Sequence, residues 1–128
     1  MNREFYSLVS RFTFRSERAT SELVRLVAIL DRDESQILDQ QGTPLSSKLI
    51  ETAQTKLDNF FSQQAIVYDY GPLILKLKLL HQMLLQPLPR IGEITTSELA
   101  PYEEQPDEVL RLLNQVQEII LQLRKRPL

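Results

Sequence analysis

Apolar residues recur at helical spacing along most of this chain. Phe5, Leu8, Val9 and Phe12 stand at positions i, i+3, i+4 and i+7, which puts them on one side of a helix. Ala19, Leu23, Leu26, Val27, Leu30, Ile37 and Leu38 continue that stripe nearly in phase. The pattern predicts either one long helix through residues 1–38 or two. In the second case Ser16 caps the new helix, and the break falls at Phe12, Thr13 and Phe14, because aromatic and β-branched side chains favour a helix less than straight ones. Gly42, Thr43 and Pro44 then punctuate the chain: glycine suits the left-handed position after a helix, threonine the next cap and proline its first turn.

A second amphipathic helix is predicted from residue 44 to about residue 68, with Leu45, Leu49, Ala53, Leu57, Phe60, Phe61 and Ala65 on one face. Two such helices joined by a short connection predict an antiparallel pair. Residues 73–86, LILKLKLLHQMLLQ, are different. Their apolar side chains cover nearly the whole helical circumference, leaving Lys76, Lys78, His81, Gln82 and Gln86 as polar points. A helix of that kind has to be wrapped on several sides, so the other helices are expected to pack around it. It is too short and too charged to span a bilayer. The competing reading is a β-hairpin over residues 65–79 that turns at Gly71 and Pro72, since residues 65–70 have strand-like composition and residues 75–79 alternate. The apolar run through Leu85 favours the helix.

Residues 87–105 show no sustained period, are bounded by prolines and carry Glu93, Glu98, Glu103 and Glu104. They are predicted to be irregular, with room for one short helix beginning near Thr95 or Thr96. Pro106 opens the last helix. Asp107 and Glu108 sit in its first turn and Arg124, Lys125 and Arg126 in its last, which complements the helix dipole at both ends. Val109, Leu112, Val116, Ile119 and Leu123 form its stripe, widened by Leu113 and Ile120. The fold expected is all-α, an antiparallel bundle of four to five helices forming one domain over residues 1–128.

Composition changes this picture little. With 42% hydrophobic and 25% charged residues the chain has the balance of an ordinary globular domain. The absence of cysteine excludes disulfides, thiolate metal sites and thiol nucleophiles. The first residues hold no long uncharged apolar run, so a cytoplasmic protein is expected. The net charge of −2 is unevenly spread: residues 1–30 carry five arginines against three glutamates, and residues 31–70 carry seven acids against three bases.

No motif specifies a chemistry. His81 is the sole histidine, and the residues one turn away are Leu77, Lys78, Leu84 and Leu85, which offer neither a second ligand nor a carboxylate. Asp31, Asp33 and Glu34 lack the glycine and the ligand spacing of a calcium loop. With three glycines in all there is no phosphate-binding loop. These absences lead to the expectation of a non-enzymatic helical protein-protein interaction module, such as an adaptor, an assembly factor or a regulatory subunit, without cofactor, metal or membrane.

The side chains a partner would use are the aromatic N-terminal group Phe5, Tyr6, Phe12 and Phe14, the pair Tyr68 and Tyr70, and the acids Glu103 and Glu104. Arg11, Arg15, Arg18 and Arg25 recur along one helical face, so a nucleic-acid binder using this stripe is the alternative. Glu22 on the same side and the acidic total oppose it. A homodimer is also expected: three neighbours suffice to cover the central helix, whereas four apolar stripes are available, leaving the N-terminal stripe or the last helix to meet a second copy.

Overall fold

The computed structural model describes residues 2–31, 44–86 and 96–125, with the backbone alone at 2–6 and 96–99. The described residues form four packed helices and no strand: α1 (Asn2–Asp31), α2 (Ser47–Gln64), α3 (Gly71–Leu85) and α4 (Thr96–Lys125). The chain is an all-α helical bundle.

α1 runs without interruption, so the break considered at Phe12, Thr13 and Phe14 does not occur. The propensity differences involved are only tenths of a kcal/mol per residue. Against them stands the burial of Leu8, Phe12, Ala19, Leu23, Leu26 and Val27 along one continuous face, at about 1.5–3 kcal/mol for each large side chain. Ser16 is accordingly not a cap but a buried residue inside the helix. Ile37 and Leu38, the end of the predicted stripe, lie outside the described residues.

α2 starts later than expected. Ser46 is its N-cap, and its side-chain oxygen accepts a hydrogen bond from the Leu49 backbone N–H at 3.1 Å. It also stops earlier, at Gln64. Ala65 adopts the left-handed conformation with φ 55°, its N–H donates to the Ser62 carbonyl, and the Ile66 N–H donates back to the Phe61 carbonyl. The chain then passes through residues 66–70 into α3, so the β-hairpin alternative over residues 65–79 is not what forms. Asp69 prepares that entry by accepting the Gly71 N–H at 3.0 Å. A Cβ at position 71 would sit 2.9 Å from the same carboxylate oxygen, so a side chain there would push the exposed Asp69 carboxylate aside.

α4 begins at Thr96, ten residues before Pro106, and holds Pro101 and Pro106 within it. Residues 96–105 are therefore helical and not irregular, while residues 87–95 lie outside the described residues. Each proline removes a backbone donor that a helix interior uses. What outweighs that loss is contact with α1: Tyr102 packs edge to face on Phe12 with ring centroids 5.0 Å apart, and Pro106 is fully buried.

Helix directions follow from the partners. Arg11 pairs with Glu103, Arg15 with Asp107, the Glu22 carbonyl with Gln117 and the Leu30 carbonyl with Arg124, a separation that stays between 92 and 95 residues. A constant separation means that α1 and α4 run side by side in the same direction. The same logic makes α1 and α2 parallel: Asp31 pairs with Lys56, 25 residues on, and Leu45 shares a cleft with Thr20 and Val24. The antiparallel relation holds between α2 and α3, where Tyr70 reaches Asp58 near one end and Leu45 meets Leu84 and Leu85 near the other. α3 thus runs against its three companions.

The core is one continuous cluster fed by every helix, including Leu23 and Leu26 from α1, Ile50 and Leu57 from α2, Leu77 and Leu80 from α3, and Leu113 and Ile120 from α4. α3 is one wall of this bundle and not its centre. Leu73, Ile74, Leu77 and Leu80 are buried, but Leu75, Leu79, Leu84 and Leu85 are exposed.

Candidate interaction surfaces

Three surfaces gather the side chains that could do work. The first lies along the seam of α1 and α4. Parallel packing at a fixed register sets basic positions of α1 against acidic positions in the N-terminal half of α4: Arg11 and Glu103 are 3.2 Å apart, as are Arg15 and Asp107. Both pairs are largely exposed, so each contributes about 0–1 kcal/mol. Between them Phe12 points inward, 1% exposed, and Tyr102 closes over it half-buried. Further along, Glu108 accepts a hydrogen bond from Arg111 at 2.8 Å. That bond first, then the Arg111 charge, with Lys76 adding a smaller attraction, holds the Glu108 carboxyl below the usual carboxylate range against the small opposing effect of desolvation. At the far end the Arg124 guanidinium donates to the Leu30 carbonyl at 3.3 Å and lies over the Phe60 ring at 5.6 Å, closing the carbonyl end of α1 with a cation.

The second surface is the aromatic corner between α2 and α3. Phe61 stacks on Tyr68 and on Tyr70, with centroids 5.4 and 5.7 Å apart, and the Tyr70 hydroxyl donates to the Asp58 carboxylate. This corner is already satisfied internally: the two tyrosines are half-buried and packed against the core.

The third surface is the outer face of α3. Leu75 is 59% exposed, and Leu79, 38% exposed, follows it by one turn. Lys78 and Gln82 stand exposed beside them, and the wholly exposed Val67 precedes the helix in the connection from α2. Below the end of α3, a cleft of about 610 Å³ is lined by His81, Leu84 and Leu85 together with Ser16, Thr20 and Leu45. Its lining holds one carboxylate, Glu17, and no second histidine beside His81. Among the described residues no group of three metal-ligating side chains converges, and no helix is long and apolar enough to cross a membrane.

The sequence-derived candidates are thus distributed unevenly. Arg11, Phe12, Arg15 and Glu103 come together at the seam, with Arg18, Phe14 and Glu104 exposed around it. Phe12 is a core residue and not a docking side chain. Phe14, 65% exposed, has the opposite role although it is only two positions away. Two members of the arginine stripe are held by carboxylates of the same chain. The side chains of Phe5 and Tyr6 lie outside the described residues. Leu75 and Leu79 were not among the sequence-derived candidates, although the signal was present: a helix apolar all round has an outer face once one face satisfies the core.

The fold and these surfaces define a helical bundle whose distinctive chemistry is carried by its exterior. Comparison with protein-family models, with curated protein sequences and with solved structures finds no match to this chain.

Proposed function

We propose that this chain is a non-enzymatic protein-protein interaction module, an adaptor or regulatory subunit, which associates with a second copy of itself through the outer face of α3. The observation that carries this reading is the exposed pair Leu75 and Leu79, one turn apart on a helix whose opposite face, Leu73, Leu77 and Leu80, is committed to the core. Contiguous apolar surface on a soluble domain is most often a contact surface, and a twofold self-contact is the commonest way to cover one. Of the N-terminal stripe, Leu8 and Phe12 are buried, Phe12 against Tyr102 of α4, while Phe14 is exposed and the side chain of Phe5 lies outside the described residues. The nucleic-acid alternative loses support for a related reason: Arg11 and Arg15 already have carboxylate partners, and each phosphate contact would have to displace one.

Because the chain has no cysteine, introduced thiols report on contacts without background. Gln82→Cys, on the exposed side of α3, is expected to give a covalent dimer under mild oxidation. Asn114→Cys, on the exposed side of α4, is expected to remain monomeric. Equal cross-linking from both positions, or none from Gln82→Cys, would remove the basis for an α3 contact.

A further inference from the structure

The cleft between α1 and the C-terminal end of α3 contains a polar group that the fold leaves unused. Ser16 lines it and is 2% exposed, and its hydroxyl has no hydrogen-bond partner among the described residues. Buried hydroxyls are ordinarily paired, because an unpaired one costs the desolvation of the group. Within a helix a serine or threonine often avoids that cost by bonding the carbonyl four residues back. Thr20, one turn on, does so: its hydroxyl donates to the Ser16 carbonyl at 2.9 Å. The Ser16 hydroxyl does not, and an alanine would serve the interior of α1 better by helix propensity alone.

The rest of the lining fixes the chemistry that would pair with it. Thr13, Ser16, Glu17, Thr20 and Ser21 recur at helical spacing, so one face of α1 turns hydroxyls and a carboxylate toward the cleft. The Thr20 hydroxyl has spent its hydrogen and is left with acceptor lone pairs, and the Glu17 carboxylate only accepts. Among the described residues no lysine or arginine lines the cleft, and Glu17 is its one acid. The polar side therefore calls for a donor, and for positive charge over negative. Facing it are Leu45, Leu84 and Leu85. Leu84 and Leu85 are 39% and 72% exposed, so an apolar body seated here would remove them from water. At about 610 Å³ the cleft has the size of a small-molecule site.

We propose that this cleft binds a small organic amine. Its ammonium group is held by Ser16 Oγ, Thr20 Oγ1 and the Glu17 carboxylate, and its apolar body lies against Leu45, Leu84 and Leu85. Leu75 and Leu79 take no part in this lining, so the site stands or falls independently of the α3 contact.

His81 is the sole histidine and lines the cleft, so its imidazole proton resonances report on the site without labelling. Phenethylamine, phenethyl alcohol and hydrocinnamate share an apolar body and differ in head group, and each is titrated at constant pH into the full chain. The expected result is a saturable shift of the His81 resonances with the amine, weaker binding of the alcohol and none of the carboxylate, with nuclear Overhauser contacts from the phenyl ring to the Leu84 and Leu85 methyl groups. Glu17→Gln, at an exposed position, should weaken the amine by about two- to five-fold. Ser16→Ala should weaken it by roughly ten-fold and yet melt no lower than wild type, because the hydroxyl it removes has no partner in the fold. No saturable shift with the amine, equal binding of the amine and the carboxylate, ring contacts confined to other methyl groups, or unchanged affinity in Ser16→Ala would each overturn the proposal. A Ser16→Ala chain that melts clearly lower would do so too, by showing that the hydroxyl already serves the fold.

Discussion

Phe12 of α1 and Tyr102 of α4 meet edge to face, with ring centroids 5.0 Å apart and planes inclined at 73°. This contact attaches the proline-containing start of α4 to Phe12, a fully buried side chain of α1. Phe12→Ala removes a large core side chain and should cost about 3–5 kcal/mol. Tyr102→Ala exposes Phe12 without emptying the core and should cost less. A double-mutant cycle in urea is expected to give a coupling of about 0.5–1.5 kcal/mol between the two rings, and strict additivity would mean that the start of α4 does not rest on Phe12.

The two faces of α3 should respond oppositely to charge. Leu77 and Leu80 are fully buried, so Leu77→Asp or Leu80→Asp places an unpaired carboxylate in the core and should destabilise by several kcal/mol, about 3–5. Leu75→Asp, on the outer face, should change monomer stability by no more than about 0.5 kcal/mol. Thermal melts of the three variants at low protein concentration decide the matter, and three similar losses would mean that α3 is enclosed on both sides.

Pro101 is exposed within α4, so replacing it restores a backbone donor and loses almost no packing. Pro101→Ala should therefore stabilise the chain, by up to the ~3 kcal/mol that separates proline from alanine in a helix interior. Pro106 is fully buried, and Pro106→Ala should gain less because packing is lost with the ring. Denaturant midpoints compare the two. A neutral Pro101→Ala would show that the backbone at residue 101 is not under helical constraint.

Ala65 closes α2 in the left-handed region at φ 55°, where an L side chain is disfavoured and glycine is not. Ala65→Gly is expected to stabilise by about 0.4–1 kcal/mol, offset in part by the greater freedom glycine gives the unfolded chain. A shift of the melting temperature downward would contradict the left-handed cap.

What the sequence made legible was periodicity, and what it concealed was tertiary compensation. The stripes of α1, α2 and the second half of α4 are visible because their outer faces are polar, and the buried residues Leu23, Leu57 and Val116 stand where spacing puts them. The start of α4 was illegible because Tyr102 and Glu103 make their contacts with residues ninety or more positions earlier. Propensity reads Pro106 as a beginning because it does not register the α1 surface beside it. α3 misled in another way. An apolar circumference was read as complete enclosure, whereas Leu75 and Leu79 on its outer side, and Leu84 and Leu85 at its end, remain in contact with water. Among the site residues, the arginine line and Glu103 were both recognised but their pairing was not, since the register of α1 against α4 has no local signature.

The account depends most on the outer face of α3 being a contact surface, and multi-angle light scattering tests that directly. At roughly tens of micromolar, the wild-type chain should elute with twice the chain mass, and the double variant Leu75→Glu, Leu79→Glu should elute as a monomer with an unchanged helical circular-dichroism spectrum. A wild-type chain that is monomeric at that concentration, or a dimer that survives both substitutions, would contradict it.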